Sequence, residues 1–169
     1  MRSRDAWKAP IGSTQTSACR RAALALLAAT LLTACTSAAA SHRAAGEDAL
    51  RAATARYADL VLRMDSAGIA ELFTADGEVS VGDQAPVRGR EAIRVQLEGF
   101  KDYHVLAEHL SADTVTVDGP RGRVTGAYEQ TVRLPSGDTV TVSGAYSADW
   151  LRDEQGAWRI ARMHTTPHA

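Results

Sequence analysis

The feature that most constrains this chain is a change of period at Phe100. Before it, apolar residues recur every three or four positions. Leu50, Ala53, Tyr57, Val61 and Met64 form one stripe between Glu47 and Met64, and Ile93, Leu97 and Phe100 form another after Gly89-Arg90-Glu91. Between these two predicted helices, Asp65 or Ser66 can cap a short third one through Ile69, Leu72 and Phe73, ended at Asp76-Gly77. Glu78 to Val81 reads as a short strand. After Phe100 the period is two. Tyr103 to Val117, Arg123 to Leu134, Thr139 to Arg152 and Trp158 to Thr165 are rich in Val, Thr, Tyr and Trp. They are separated by the turn clusters DGPRG, PSGD and DEQG. Strands joined by short turns make an antiparallel meander, and helices followed by a meander predict an α+β fold with the helices on one face of the sheet.

The N-terminal third has a different character. Arg2, Arg4, Lys8, Arg20 and Arg21 precede an uncharged run from Ala22 to Ala34, mostly Ala and Leu, that is too short to span a bilayer. A basic segment followed by a short apolar one is the build of a secretory signal. Leu32-Thr33-Ala34 before Cys35 matches the branched-small-small pattern of bacterial lipoprotein signals. Cys35 is therefore expected to carry the lipid, with residues 1–34 the signal peptide, 35–46 a flexible tether of small polar residues and 47–169 the domain. Cleavage near Ala38-Ala39-Ala40 and release without an anchor is the alternative. The expected location is the extracytoplasmic face of the cell membrane, reached through the lipid anchor alone.

Charge and cysteine content narrow the function classes. The whole chain has 19 Lys and Arg against 20 Asp and Glu; residues 1–34 hold five of the bases and one of the acids, so the remainder carries a net −5. An acidic domain without a clustered basic face argues against nucleic acid as a partner. The other cysteine, Cys19, lies in the leader, so the domain has neither a disulfide nor a thiol nucleophile. There is no GxSxG, no HExxH and no phosphate loop, and no cofactor is expected. His104 and Glu108 are four apart on a predicted strand, too widely separated to make a metal pair; His164 and His168 flank Pro167 in the tail.

Four strings taken in order resemble the SnoaL-like branch of the nuclear transport factor 2-like superfamily: DSAGIAELFTADGEV (Asp65 to Val79), VRGREAI (Val87 to Ile93), EHLSADTVTVDG (Glu108 to Gly119) and GAWRIARM (Gly156 to Met163). The resemblance implies a cone-shaped curved antiparallel sheet packed against three N-terminal helices, a pocket at its mouth, and commonly a dimer through the sheet. SnoaL-like dehydratases pair a Tyr and an Asp from the first helix with a His from the strand that opens the meander. Tyr57 and His109 match the first and last of these. The positions expected to hold the acid read Ala58 and Leu62. Without a carboxylate the imidazole lacks the partner that would orient it and raise its basicity. Asp59 falls on a different helix face from Tyr57, and Asp65 suits a cap; Asp149 is the remaining candidate, provided its strand turns it inward.

The expected pocket therefore comprises Tyr57, Val61, Leu97, His109, Tyr128, Tyr146 and Trp150. Tyr57 and His109 should face one another across it, His109 sharing its strand face with Val105, Ala107 and Ser111. The leading expectation is a lipid-anchored domain that holds a small apolar or amphipathic ligand. The alternatives are a dehydratase, isomerase or cyclase using His109 and Tyr57, and an envelope protein–protein interaction module.

Overall fold

The computed structural model of the chain describes residues 41–168. Cys35 and the leader lie outside the described residues. The helices are α1 (residues 41–62), α2 (Ser66–Glu71) and α3 (Arg90–Glu98), the last separated from the first two by two strands. The strands are β1 (Phe73–Val81), β2 (Val87–Arg88), β3 (His104–Leu110), β4 (Thr114–Asp118), β5 (Arg121–Arg133), β6 (Thr139–Arg152) and β7 (Trp158–Pro167). They form one open sheet in the order β2-β1-β7-β6-β5-β3, with β4 paired to β5 beside β3.

The α+β class and the meander hold, but the sheet is mixed rather than wholly antiparallel. β1 runs parallel to β7, in register from Glu78 opposite Arg162 to Val81 opposite Thr165. A parallel neighbour needs a long crossover, and β2, α3 and the meander together supply it. Register shifts in the β1/β7, β3/β5 and β6/β7 pairs bend the sheet around the helices.

Two boundaries differ from the sequence expectation. The small polar residues up to 46 suggest a tether, yet the chain is already helical at 41 and Gly46 is buried. A Cβ on Gly46 would lie 3.1 Å from Val117 Cγ1, so the missing side chain is what lets α1 pack this closely on β4. The sequence carries the short helix through Phe73 to an end at Asp76-Gly77, but α2 stops at Glu71 and Phe73 opens β1. Its N-cap is Asp65, whose Oδ1 accepts from the Gly68 N–H at 2.8 Å, a contact worth about 1 kcal/mol.

The core lies between the helices and the inner sheet face. Leu50 and Leu60 from α1, Ile69 from α2 and Ile93 from α3 meet Phe73, Val124, Trp150, Ile160 and Met163 from the strands. Trp158 closes this cluster, with the Arg152 guanidinium carbon 4.6 Å from its ring centroid. Full burial of each large apolar side chain contributes roughly 1.5–3 kcal/mol.

Candidate functional site

Along β6 the inner face reads Val140, Val142, Gly144, Tyr146, Ala148 and Trp150, and these residues pass from exposed to buried in that order. Val140 and Val142 are 38% and 43% exposed, whereas Tyr146, Ala148 and Trp150 are 4%, 1% and 1% exposed. The helices therefore cover the narrow end of the curved sheet and leave the other end open. That open end holds an apolar cavity of about 380 Å³, walled by Val61, Met64, Leu97, Phe100, Val105, Val132 and Val142 among others. An inner lobe of about 240 Å³ adjoins it, and the two share Tyr57, Val61, Gln130 and Val142.

The inner lobe carries the polar chemistry. Glu108 on β3 lines it, with Tyr57 from α1, Tyr128 and Gln130 from β5 and Tyr146 from β6. The Glu108 carboxyl is held by Gln130, whose Nε2 donates to Oε2 at 2.8 Å. Burial in this apolar surrounding raises the carboxyl from its usual 4.5 to about 7, against the opposing pull of the Gln130 hydrogen bond. Burial, Glu108 and Tyr146 together push the Tyr57 phenol upward, so it stays protonated. The Tyr57 hydroxyl makes no hydrogen bond to another described residue and is free to donate to a guest. Burial, with a contribution from Asp113, pushes Tyr146 up to about 12; its hydroxyl donates to the Ser111 carbonyl at 2.6 Å. The arrangement can exchange a proton near neutral pH at one end of an apolar cavity.

His109 is not in this cavity. It is exposed, on the outer sheet face opposite Glu129. The cause is a bulge: Val105 pairs with Val132 but Ala107 pairs with Thr131, so β3 has one extra residue there. Simple alternation from Val105 would turn Ala107 and His109 inward; the extra residue reverses the parity and turns Glu108 and Leu110 inward instead. Asp149 also points outward, where its Oδ1 meets Arg123 Nη1 at 2.6 Å. It stands opposite Arg123 while His109 stands opposite Glu129, six residues away along β5, so the two do not meet. Trp150 is core and lines neither lobe. Tyr57 and Val61 line both lobes, Leu97 the outer one, and Tyr128 and Tyr146 the inner one. Glu108 is not among the residues that the sequence alone points to. The available signal was an acid among the apolar alternation of VLAEHL, one residue from the parity expected of an unbulged strand.

Residues 42–164 match the SnoaL-like domain family. This chain belongs to the SnoaL-like family. Solved structures of the same fold include a ketosteroid isomerase-like protein from Erwinia carotovora atroseptica, 17% identical over 73% of this chain and 96% of that one, with a TM-score of 0.66. An ntf2-like protein with a cystatin-like fold from Novosphingobium aromaticivorans is 25% identical over 78% of this chain and 88% of that one, with a TM-score of 0.61. A protein from Catenulispora acidiphila, solved in complex with S-DNPA, is 17% identical over 74% of this chain and 95% of that one, with a TM-score of 0.64. No curated protein matches the sequence. In this SnoaL-like chain the cavity carboxylate comes from the sheet rather than from α1. The helix positions where the resemblance placed an acid are Ala58 and Leu62, and Leu62 is 43% exposed.

Proposed function

We propose that the domain binds a small, uncharged, apolar carbonyl compound and moves a proton on it, as isomerases and dehydratases do. The observation that carries this reading is Glu108, a carboxyl titrating near neutral pH inside an apolar cavity opposite a protonated, unpartnered phenol. As base, the ionised carboxylate takes the proton from the carbon beside the carbonyl. The electron pair left behind moves to the carbonyl oxygen, and the Tyr57 hydroxyl hydrogen-bonds the charge that develops there. The protonated carboxyl then returns its proton to another carbon, or to a departing hydroxyl that leaves as water. No Lys, Arg or His lines either lobe, so an anionic guest would find no counter-charge and would meet Glu108 as a like charge.

Exchange of the α-protons of 2-tetralone in D2O, followed by proton NMR, tests this. The protein should accelerate exchange, the rate should rise with pH through about 7 as Glu108 ionises, and Glu108→Gln should abolish it. Saturable 2-tetralone binding with no acceleration would favour the second reading, a binding domain without turnover. The open mouth at Val140 and Val142, which lets water reach the cavity, supports that reading.

Export and anchoring form part of the proposal. The basic leader, the Ala22 to Ala34 run and the Leu-Thr-Ala-Cys string support lipid attachment at Cys35 and a place on the outer face of the membrane. If Cys35→Ser still partitions into detergent as the parent does, the anchor is wrong. A homodimer through the outer sheet face is likewise proposed, since Ala127, Thr141, Ser143 and Ala145 are small enough for a second sheet to approach closely. Sedimentation as a monomer at high concentration would remove it.

A further inference from the structure

We propose that Gln130 is a positioning residue, whose side-chain amide ties down one oxygen of Glu108 and leaves the other as the single free acceptor in the inner lobe. This rests on the proton-transfer reading and names the residue that prepares the base.

Three observations support it. Glu108 and Gln130 are direct cross-strand partners on β3 and β5, so the strand pairing itself sets their separation. Gln130 Nε2 donates to Glu108 Oε2 at 2.8 Å, whereas Glu108 Oε1 has no partner among the described residues. Gln130 also lines both lobes, so it borders the path by which a guest passes from the outer lobe towards the carboxyl. The bulge in β3 is what makes the pair: without the extra residue, Glu108 and Gln130 would stand on opposite faces of the sheet.

The amide has two effects. It removes the carboxyl's rotational freedom, so that Oε1 alone is offered to a guest. It also donates to the charged form, which opposes the upward push of burial and keeps the base usable near neutral pH. The other titratable groups facing Glu108 are Tyr57 from α1, Tyr128 from β5 and Tyr146 from β6, all phenols raised by burial. None of them supplies a positive charge, which leaves Gln130 as the group that favours ionisation.

The test is a carbon-13 NMR titration of the Glu108 carboxyl in the full chain and in Gln130→Met, which keeps the length of the side chain and removes the donor. The midpoint should rise by about one pH unit in the variant, and the rate of 2-tetralone exchange at pH 7 should fall about fivefold, as the ionised fraction drops from about one half to about one eleventh, and recover towards higher pH. A variant that melts like the parent with an unmoved or lowered midpoint overturns the assignment. If Gln130→Met does not fold, the parent alone decides: one Gln130 side-chain amide proton should shift with the Glu108 midpoint, and two amide protons blind to it would overturn the proposal. The titration needs no turnover. A midpoint that moves without any exchange leaves Gln130 as the holder of Glu108 and removes the proton-transfer reading; exchange with an unmoved midpoint does the reverse.

Discussion

The two faces of one sheet differ more than its two ends do. On β6, Trp150 turns inward and is 1% exposed, while its neighbour Asp149 turns outward to an ion pair with Arg123. On β3, Glu108 turns into an apolar lobe while its neighbour His109 is exposed. In each pair adjacent residues in sequence have opposite environments. What assigns the environment is parity along the strand, and parity is reset wherever a bulge adds a residue. Which β3 residues face the cavity therefore depends on one extra residue between Val105 and Ala107.

The largest test of the contrast lies on β6. Trp150→Ala should cost about 3–5 kcal/mol in chemical denaturation, since the cavity it leaves sits among the buried Phe73, Val124 and Ile160. Asp149→Ala should cost less than about 1 kcal/mol, because the Arg123 pair is partly solvated on both sides, at 53% and 37% exposed. Comparable costs for the two would mean that the faces are not as unlike as described.

Parity also explains how much was legible in the sequence. The helices and the meander could be read because α1 and α3 keep their apolar stripes and because β5 and β6 alternate without interruption for 13 and 14 residues. Trp150 and Asp149 were correctly sent to opposite faces by alternation; which face each took depended on the partner strands. β3 misled because its bulge leaves no mark in composition: VLAEHL shows neither the glycine nor the proline that would flag an irregularity. The parallel pairing of β1 and β7 was hidden for a related reason. It joins residues more than 80 positions apart, with no turn between them to announce the direction. The expectation that Tyr57 faces His109 across the cavity fails at His109, which is exposed; Tyr57 shares the inner lobe with Glu108 instead.

The next test in size concerns the inner residue of the second pair. Glu108 has a native pKa raised from 4.5 to about 7, so the folded state holds its proton more tightly than the unfolded chain does. The stability it contributes is complete below about 4.5 and is lost as pH rises through about 7. Glu108→Gln should remove that slope and leave the variant more stable than the parent at pH 8. The gain should be roughly 1–2 kcal/mol, discounted for a carboxyl that is only half-buried. Urea denaturation from pH 4.5 to 8 checks it. Parallel stability curves for the two proteins would mean that water reaches Glu108 freely and that the inner lobe is not the apolar place described.

The smallest expected effect is the most discriminating, because it belongs to the residue that simple alternation would have chosen. His109→Ala should change stability by less than about 0.5 kcal/mol, as for a surface position with no hydrogen bond or ion pair. It should leave both 2-tetralone binding and the pH dependence of exchange as they are in the parent. A buried polar partner left unpaired would instead weaken binding by about 1–3 kcal/mol. Isothermal titration of parent and variant separates the two outcomes easily. If affinity falls into that range, or if exchange loses its dependence on pH, then His109 faces the cavity and the bulge between Val105 and Ala107 is absent in solution. The assignment of Glu108 as the base would fall with it, since an unbulged β3 that turns His109 inward turns Glu108 outward.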